Sequence, residues 1–82
     1  MFEIIWSKSA FQSIRKLQRT ISKRIFRKID ALSNDLHNSD FKKLTGVPYF
    51  RLRVGDYRVI FDINYTDKKI VILKIGHRKN VY

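Results

Sequence analysis

The sequence predicts a single α+β domain, in which an N-terminal strand and an antiparallel pair of helices precede a small, mainly antiparallel β-sheet. Three observations favour this fold class. Residues 2–6 form a short apolar segment, residues 7–36 carry apolar side chains at helical spacing, and residues 49–61 alternate between apolar and polar side chains around a turn. The chain has 82 residues, the size of one small domain, so we assign residues 1–82 to one domain.

Two helices are expected after the first strand. The first begins at Ser7 or Ser9, because a serine hydroxyl can cap the free amide groups at a helix N-terminus. The second restarts at Thr20 or Ser22, and the short link favours an antiparallel pair. Each helix has an apolar face that is predicted to pack on the sheet. These faces comprise Ala10, Phe11, Ile14 and Leu17 in the first helix, and Ile21, Ile25, Ile29, Leu32 and Leu36 in the second.

A β-hairpin is predicted around Gly55 and Asp56, which can form a two-residue turn. Such a turn places Arg53 directly opposite Arg58, and strand alternation puts Arg51 on the same face. Like charges opposite each other destabilise a sheet, so this face needs compensation. A bound anion would provide it, and planar guanidinium groups match phosphate oxygens well. The hairpin is therefore a candidate phosphate site.

The last strand, residues 70–75, is expected to complete the sheet, and the segment before the hairpin, residues 41–48, is expected to be a loop. Simple alternation predicts that the strand buries Val71, Leu73 and Ile75. Lys74 would then lie opposite Arg58, and Arg78 would follow at the strand end on the same basic face. Five cationic side chains would share that face.

The net charge of the chain is +11, from 18 Lys and Arg residues against 7 Asp and Glu residues. Such an excess attracts polyanions and favours nucleic acid as a partner. The second helix carries an additional run of cations on its polar face, which is either a solvated surface or a contact surface for RNA or an acidic protein. This run comprises Lys23, Arg24, Arg27 and Lys28.

Three further residues are candidate RNA contacts near the arginine face: Lys43, Lys74 and His77. Histidine is a residue type that is commonly used for proton transfer. Strand alternation, however, places His77 on the core side, so a structural role and a chemical role both remain open.

The sequence indicates neither a metal nor a cofactor. Its carboxylates show no metal-binding spacing, and it has no glycine-rich phosphate loop and no nucleophile–base motif. It lacks cysteine, so disulfides are excluded. Without a signal-peptide pattern or an apolar run of the roughly 20 residues that span a bilayer, we expect a cytoplasmic protein with no membrane partner.

The family resemblance is carried by two segments, KKLTGVPYFRLRVGDYRVIFDI and GHRKNVY. A K-L-x-G loop, a basic hairpin ending in G-x-Y-R and a terminal G-[HK]-R…V-Y in this order resemble the RelE/ParE toxin superfamily, specifically its RelE-type branch. The resemblance implies a RelE-like fold and a ribosome-dependent endoribonuclease that cuts messenger RNA in the decoding site. It also implies an acidic, RelB-like antitoxin, bound in a heterodimer or heterotetramer.

The same resemblance implies metal-free chemistry, in which the ribose 2′-hydroxyl attacks the adjacent phosphate. It maps the catalytic positions onto Arg51, Arg53, Arg58, Arg78 and Tyr82. Arg58 and Arg78 would stabilise the charged phosphorane, and Tyr82 would stack on or orient a base.

The best-known family pattern has lysines at the positions of Arg51 and Arg53. Arginine cannot lose its proton in proteins, so the general base remains open among His77, the side chain of Tyr82, the terminal carboxylate of Tyr82 and no dedicated base. Two alternative functions also remain: a ParE-like inhibitor of DNA gyrase and a non-catalytic RNA-binding module.

Overall fold

The computed structural model describes residues 1–80. Within these residues the domain has two α-helices and a five-stranded sheet, together with one short 3-10 helix at Leu36–Asn38. The elements in chain order are β1 (Glu3–Trp6), α1 (Lys8–Arg15), α2 (Arg19–Asn34), β2 (Phe41–Lys43), β3 (Phe50–Val54), β4 (Tyr57–Asn64) and β5 (Lys69–His77). The strand order is β1-β5-β4-β3-β2, with β1 parallel to β5 and every other pair antiparallel. The predicted α+β class is confirmed.

Ser7 caps α1, which is one of the two predicted starts. Its hydroxyl oxygen accepts a hydrogen bond from the Ala10 amide at 3.1 Å, and the same hydroxyl donates to the Leu73 carbonyl at 3.0 Å. The cap therefore also ties the start of the helix to β5.

The predicted start of α2 at Thr20 or Ser22 is wrong. The helix begins at Arg19, and its cap residue Gln18 makes no side-chain hydrogen bond. The Gln18 carbonyl already accepts from the Ile21 and Ser22 amides, both at 3.0 Å. The Ser22 hydroxyl donates to the Arg19 carbonyl within the helix, so it does not cap an N-terminus.

The hydrophobic core lies between the two helices and one face of the sheet. The hairpin contributes Leu52, Val54, Val59 and Phe61 to it. Phe61 is fully buried, and its ring contacts those of Phe41 and Phe50 with centroid separations of 5.5 and 5.7 Å. The buried helix residues of this core are Ala10, Ile14, Ile25, Ile29 and Leu32.

The predicted inward residues of β5 are partly wrong. Ile75 belongs to the core, but the other inward residues are Ile70 and Ile72, while Val71 and Leu73 are only half-buried. A β-bulge explains the difference, because Phe61 pairs with Ile72 whereas Ile60 pairs with Lys74. Leu73 is the extra residue, and it shifts the alternation of the strand by one position.

The prediction that Lys74 lies opposite Arg58 is also wrong, because of the bulge. Gly76 lies opposite Arg58, and Lys74 lies opposite Ile60. Lys74 remains exposed on the predicted face but is two residue pairs further from the hairpin turn.

Residues 41–43, which were predicted to be part of a loop, form the edge strand β2. Its pairing places Lys42 opposite Arg51 and Lys43 opposite Phe50. Residues 44–49 then return to β3, with Gly46 at a φ of +81°, a conformation that favours glycine. The Leu44 amide donates to the Tyr49 carbonyl at 2.9 Å and closes this loop.

Candidate functional site

The sheet face away from the helices, which we call the open face, carries two cross-strand rows of side chains at its hairpin end. The register and strand alternation define the first row as Lys42, Arg51, Ile60 and Lys74, and the second as Arg53, Arg58 and Gly76. The second row lies next to the hairpin turn. Because Gly76 has no side chain, the two guanidinium groups of this row have no bulky neighbour on β5.

The predicted pairing of Arg53 with Arg58 is present. Arg58 Nη1 donates hydrogen bonds to the carbonyl oxygens of Gly55 and Tyr57, each at 2.9 Å. The guanidinium group is therefore held over the turn carbonyls, whose partial negative charge offsets part of the repulsion from Arg53. These contacts also fix the orientation of the Arg58 side chain.

The electrostatic surroundings of Arg58 disfavour an additional cation. Desolvation lowers the pKa of Arg58, and the charges of Arg53, Arg51 and Arg78 lower it further, whereas Asp56 acts in the opposite direction. Arginine stays protonated at neutral pH despite such a shift. The cluster of Arg51, Arg53, Arg58 and Arg78, which we call the arginine cluster, is thus a fixed positive field that an arriving anion would relieve.

Arg78 follows directly after β5 and is anchored to the hairpin turn. Its backbone amide donates to the Asp56 carbonyl at 2.8 Å, while its Nε lies 4.0 Å from Asp56 Oδ1. Both side chains are more than half exposed, so this ion pair adds little stability. The backbone hydrogen bond is what positions Arg78 beside Arg58. Tyr82, the remaining catalytic candidate, lies outside the described residues.

A small cavity of about 200 Å³ opens beside the arginine cluster, and we call it the arginine cavity. Its lining residues are Asp40, Phe41, Lys42, Arg51, Arg53 and Arg58. Four cations around one cavity suit a phosphate group. Sequence reasoning missed Lys42 and Asp40, because only the pairing of β2 with β3 brings residues 40–42 to this face.

His77 does not join the arginine cluster. It lies opposite Tyr57 on the helix side of the sheet, and the two rings make an edge contact with centroids 5.5 Å apart. Its Nδ1 accepts a hydrogen bond from the Lys79 amide at 3.3 Å. The expected core-side position of His77 is thus confirmed, and its role as an RNA contact stays a prediction.

The other proposed RNA contacts are spread over two faces. Lys74 belongs to the first row of the open face, and alternation directs Lys43, at the sheet edge, to the opposite face from Lys42. α2 carries five exposed cations, of which four were predicted RNA contacts. We call these four the α2 cations: Lys23, Arg24, Arg27 and Lys28.

Arg24 connects this helix to the hairpin. A Cβ atom placed on Gly55 would lie 3.1 Å from Arg24 Nη2, and Gly55 itself has a φ of +59°. The turn thus requires glycine for its conformation, and the Arg24 guanidinium group lies against it. The cationic surface of α2 therefore reaches the edge of the arginine cluster.

Within residues 1–80, no group of three or more His, Cys, Asp or Glu side chains could hold a metal ion. No helix in this part of the chain is long and apolar enough to cross a membrane.

Comparison with known proteins places this geometry in a family context. Residues 4–82 match the family described as ParE toxin of type II toxin-antitoxin system, parDE. The toxin RelE3 of Methanocaldococcus jannaschii is 31% identical over an alignment of 85 residues, and the alignment covers 98% of this chain and 94% of that protein.

Comparison with solved structures also finds RelE toxins. The archaeal RelE–RelB complex of Pyrococcus horikoshii contains a chain that is 28% identical, with a TM-score of 0.82 and 98% coverage of both chains. The RelB–RelE antitoxin–toxin complex of Methanococcus jannaschii contains one that is 29% identical, with a TM-score of 0.78 and coverage of 95% of this chain and 94% of that chain. The predicted RelE-like fold is thereby confirmed.

Proposed function

The chain belongs to the RelE/ParE family of type II toxin–antitoxin toxins, and on this premise we propose that it is a ribosome-dependent endoribonuclease that cleaves messenger RNA. The observation that carries the proposal is the arginine cluster, in which Arg58 is held by two hydrogen bonds and faces Arg53 across the hairpin. A preorganised group of cations stabilises negative charge that develops in a transition state. The phosphorane formed when a 2′-hydroxyl attacks the adjacent phosphate carries such charge.

The residues divide the chemical work as follows. Arg53, Arg58 and Arg78 stabilise the phosphorane while the bond from phosphorus to the 5′-oxygen breaks. The 2′-hydroxyl loses its proton as its oxygen attacks phosphorus to form a 2′,3′-cyclic phosphate, and the leaving 5′-oxygen gains a proton from water. Arg51 and Arg53 cannot accept the first proton, and His77 lies on the other face of the sheet.

Asp40 is the carboxylate that lines the arginine cavity, so we assign it as the candidate general base. The family resemblance further implies that Tyr82 stacks on or orients a base of the messenger. No step of this scheme requires a metal ion.

The antitoxin partner is proposed from the same comparisons, since the Pyrococcus and Methanococcus structures are complexes with RelB. An open groove of about 340 Å³ follows α2, lined by Arg24, Arg27, Lys28, Ala31 and Val54. Its apolar floor and cationic rim fit an acidic, RelB-like helix, in a heterodimer or heterotetramer. Apolar contacts would supply most of the affinity, and charge pairs would speed association.

Single-turnover cleavage on programmed ribosomes tests the proposed activity. The wild-type chain should cut messenger in the decoding site, should leave naked RNA largely intact, and should leave DNA supercoiling by gyrase unaffected. Inhibition of gyrase without cleavage would favour the ParE-like alternative, which is retained because the matched family is described as ParE toxin. RNA binding with neither activity would favour the non-catalytic alternative.

Coexpression tests the antitoxin. An adjacent acidic open reading frame should relieve toxicity and copurify with the chain. Failure of both results would contradict the proposed partner and would leave the cleavage assay unaffected.

A further inference from the structure

A second cavity lies on the open face beside the arginine cavity. Its volume is about 490 Å³, within the range of roughly 300–1,000 Å³ that is typical of small-ligand sites. The lining residues are Lys42, Lys43, Leu44, Thr45, Val47, Arg51 and Ile60. An apolar floor of Leu44, Val47 and Ile60 is therefore bordered by two cations of the open face, Lys42 and Arg51, and by the hydroxyl-bearing Thr45.

Ile60 is the informative member of this set. It is only 8% exposed, yet it is not part of the hydrophobic core, because it lies on the opposite side of the sheet from the helices. Its cross-strand neighbours are Arg51 and Lys74. Ile60 therefore presents only a small exposed edge to the cavity, and the exposed Val47 and the aliphatic stems of the neighbouring cations supply further apolar surface.

The two cavities are adjacent, because Lys42 and Arg51 line both. A nucleotide has the matching arrangement, with an apolar base and an anionic phosphate joined by a ribose. A phosphate held by the arginine cluster would therefore direct the attached base toward Ile60 and Val47.

We propose that this second cavity is a nucleobase subsite, which holds one unstacked base of single-stranded RNA next to the phosphate in the arginine cluster. The proposal rests on the proposed function, since it assumes that the phosphate belongs to RNA. Recognition of single-stranded RNA commonly uses unstacked bases, which bind with their flat faces on the protein and their edges free for hydrogen bonds. The Thr45 hydroxyl, on the loop closed by the hydrogen bond from Leu44 to Tyr49, can donate to or accept from such an edge.

Methyl NMR of the full-length chain, freed from its partner, tests the subsite directly. The probes are the four nucleoside 3′-monophosphates, with ribose 5-phosphate as the control that lacks a base. At least one nucleotide should shift the methyl signals of Ile60 and Val47 as well as the side-chain signals of Arg58. Ribose 5-phosphate should shift only the signals of Arg58.

A matched pair of variants makes the test specific. Val47→Ser removes apolar surface from the subsite and should weaken nucleotide binding roughly threefold or more, without changing the affinity for ribose 5-phosphate. Val71→Ser makes the same chemical change on β5, at a residue that lines neither cavity, and should leave both affinities unchanged.

Two results would overturn the subsite: nucleotides that shift only the arginine signals, and methyl signals that respond to an antitoxin peptide but not to nucleotides. The second result would assign the cavity to a protein interface. The proposed function fails separately, by absence of cleavage on ribosomes. Cleavage without a methyl response would refute the subsite alone, and a methyl response without cleavage would refute the proposed function alone.

Discussion

Replacement of Arg58 by alanine tests whether this arginine stabilises the fold or is held in position to bind a phosphate. The change removes two hydrogen bonds from Nη1 to the carbonyls of Gly55 and Tyr57. Each such bond contributes about 0.5–1.5 kcal/mol net, at the low end here because water can replace the donor at a partly exposed turn. The change also removes a like-charge pair with Arg53, whose repulsion costs roughly 0.2–1 kcal/mol. The two effects oppose each other.

The free energy of unfolding of Arg58→Ala should therefore lie within about 1 kcal/mol of the wild-type value, which is a shift in Tm of at most about 4–8 °C for a domain of this size. Single-turnover cleavage on programmed ribosomes should fall by on the order of 10²-fold or more, the usual cost of removing one preorganised charge from a site. Thermal unfolding and cleavage are to be measured on the same preparations.

Arg15→Ala is the matched control, because it removes the same charge from α1 on the helix side of the molecule. It should leave cleavage near the wild-type rate. A loss of more than about 2 kcal/mol in Arg58→Ala would show that the arginine is structural. A stable variant with full activity would show that Arg58 is not part of the site. Either result would refute the proposal that this hairpin is a phosphate site.

Three further changes test the core, the candidate base and the helix surface. Leu52→Ala, on β3 and on the opposite face of the sheet from Arg53, should lower the free energy of unfolding in chemical denaturation by about 2–5 kcal/mol, and a cost below about 1 kcal/mol would contradict its place in the core. Asp40→Asn should slow single-turnover cleavage at saturating toxin by roughly 10²-fold or more while ribosome binding is retained, and an unchanged rate would exclude Asp40 as the base. Alanine at the α2 cations should weaken ribosome association and reduce its salt dependence, while cleavage at saturating toxin is retained. A variant of this group that binds ribosomes normally but cannot cut messenger would contradict the assignment of these residues to binding. The α2 cations are Lys23, Arg24, Arg27 and Lys28.

The hairpin was predictable because its register is set locally. Gly55 and Asp56 leave a two-residue turn, and once that turn is fixed every pair from Val54–Tyr57 to Phe50–Phe61 follows by counting. The charge opposition of Arg53 and Arg58 could therefore be found from sequence. The hydrogen bonds that make it tolerable could not, since a side-chain orientation does not follow from register.

The edge strand β2 was not predictable in the same way. It has three residues, and its only strand partner in the described part of the chain is β3. A segment this short takes its conformation from its partner and not from its own pattern. Asp40 and Lys42 therefore have no recognisable signal in the sequence, and their place beside Arg51 becomes visible only in the folded sheet.

The bulge at Leu73 links the core to the open face. Counting from the pair Asn64–Lys69 at the β4–β5 turn, an unbroken register would place Lys74 opposite Val59, inside the core, and Ile75 opposite Arg58 on the open face.

The extra residue moves each of these positions by one, so that Ile75 is buried opposite Val59 and Gly76 lies opposite Arg58. Burial of an isolated ammonium group is costly, whereas one bulge disturbs the ladder only locally. The same irregularity that keeps Lys74 out of the core thus leaves space next to Arg58, which is the space that the proposed phosphate requires.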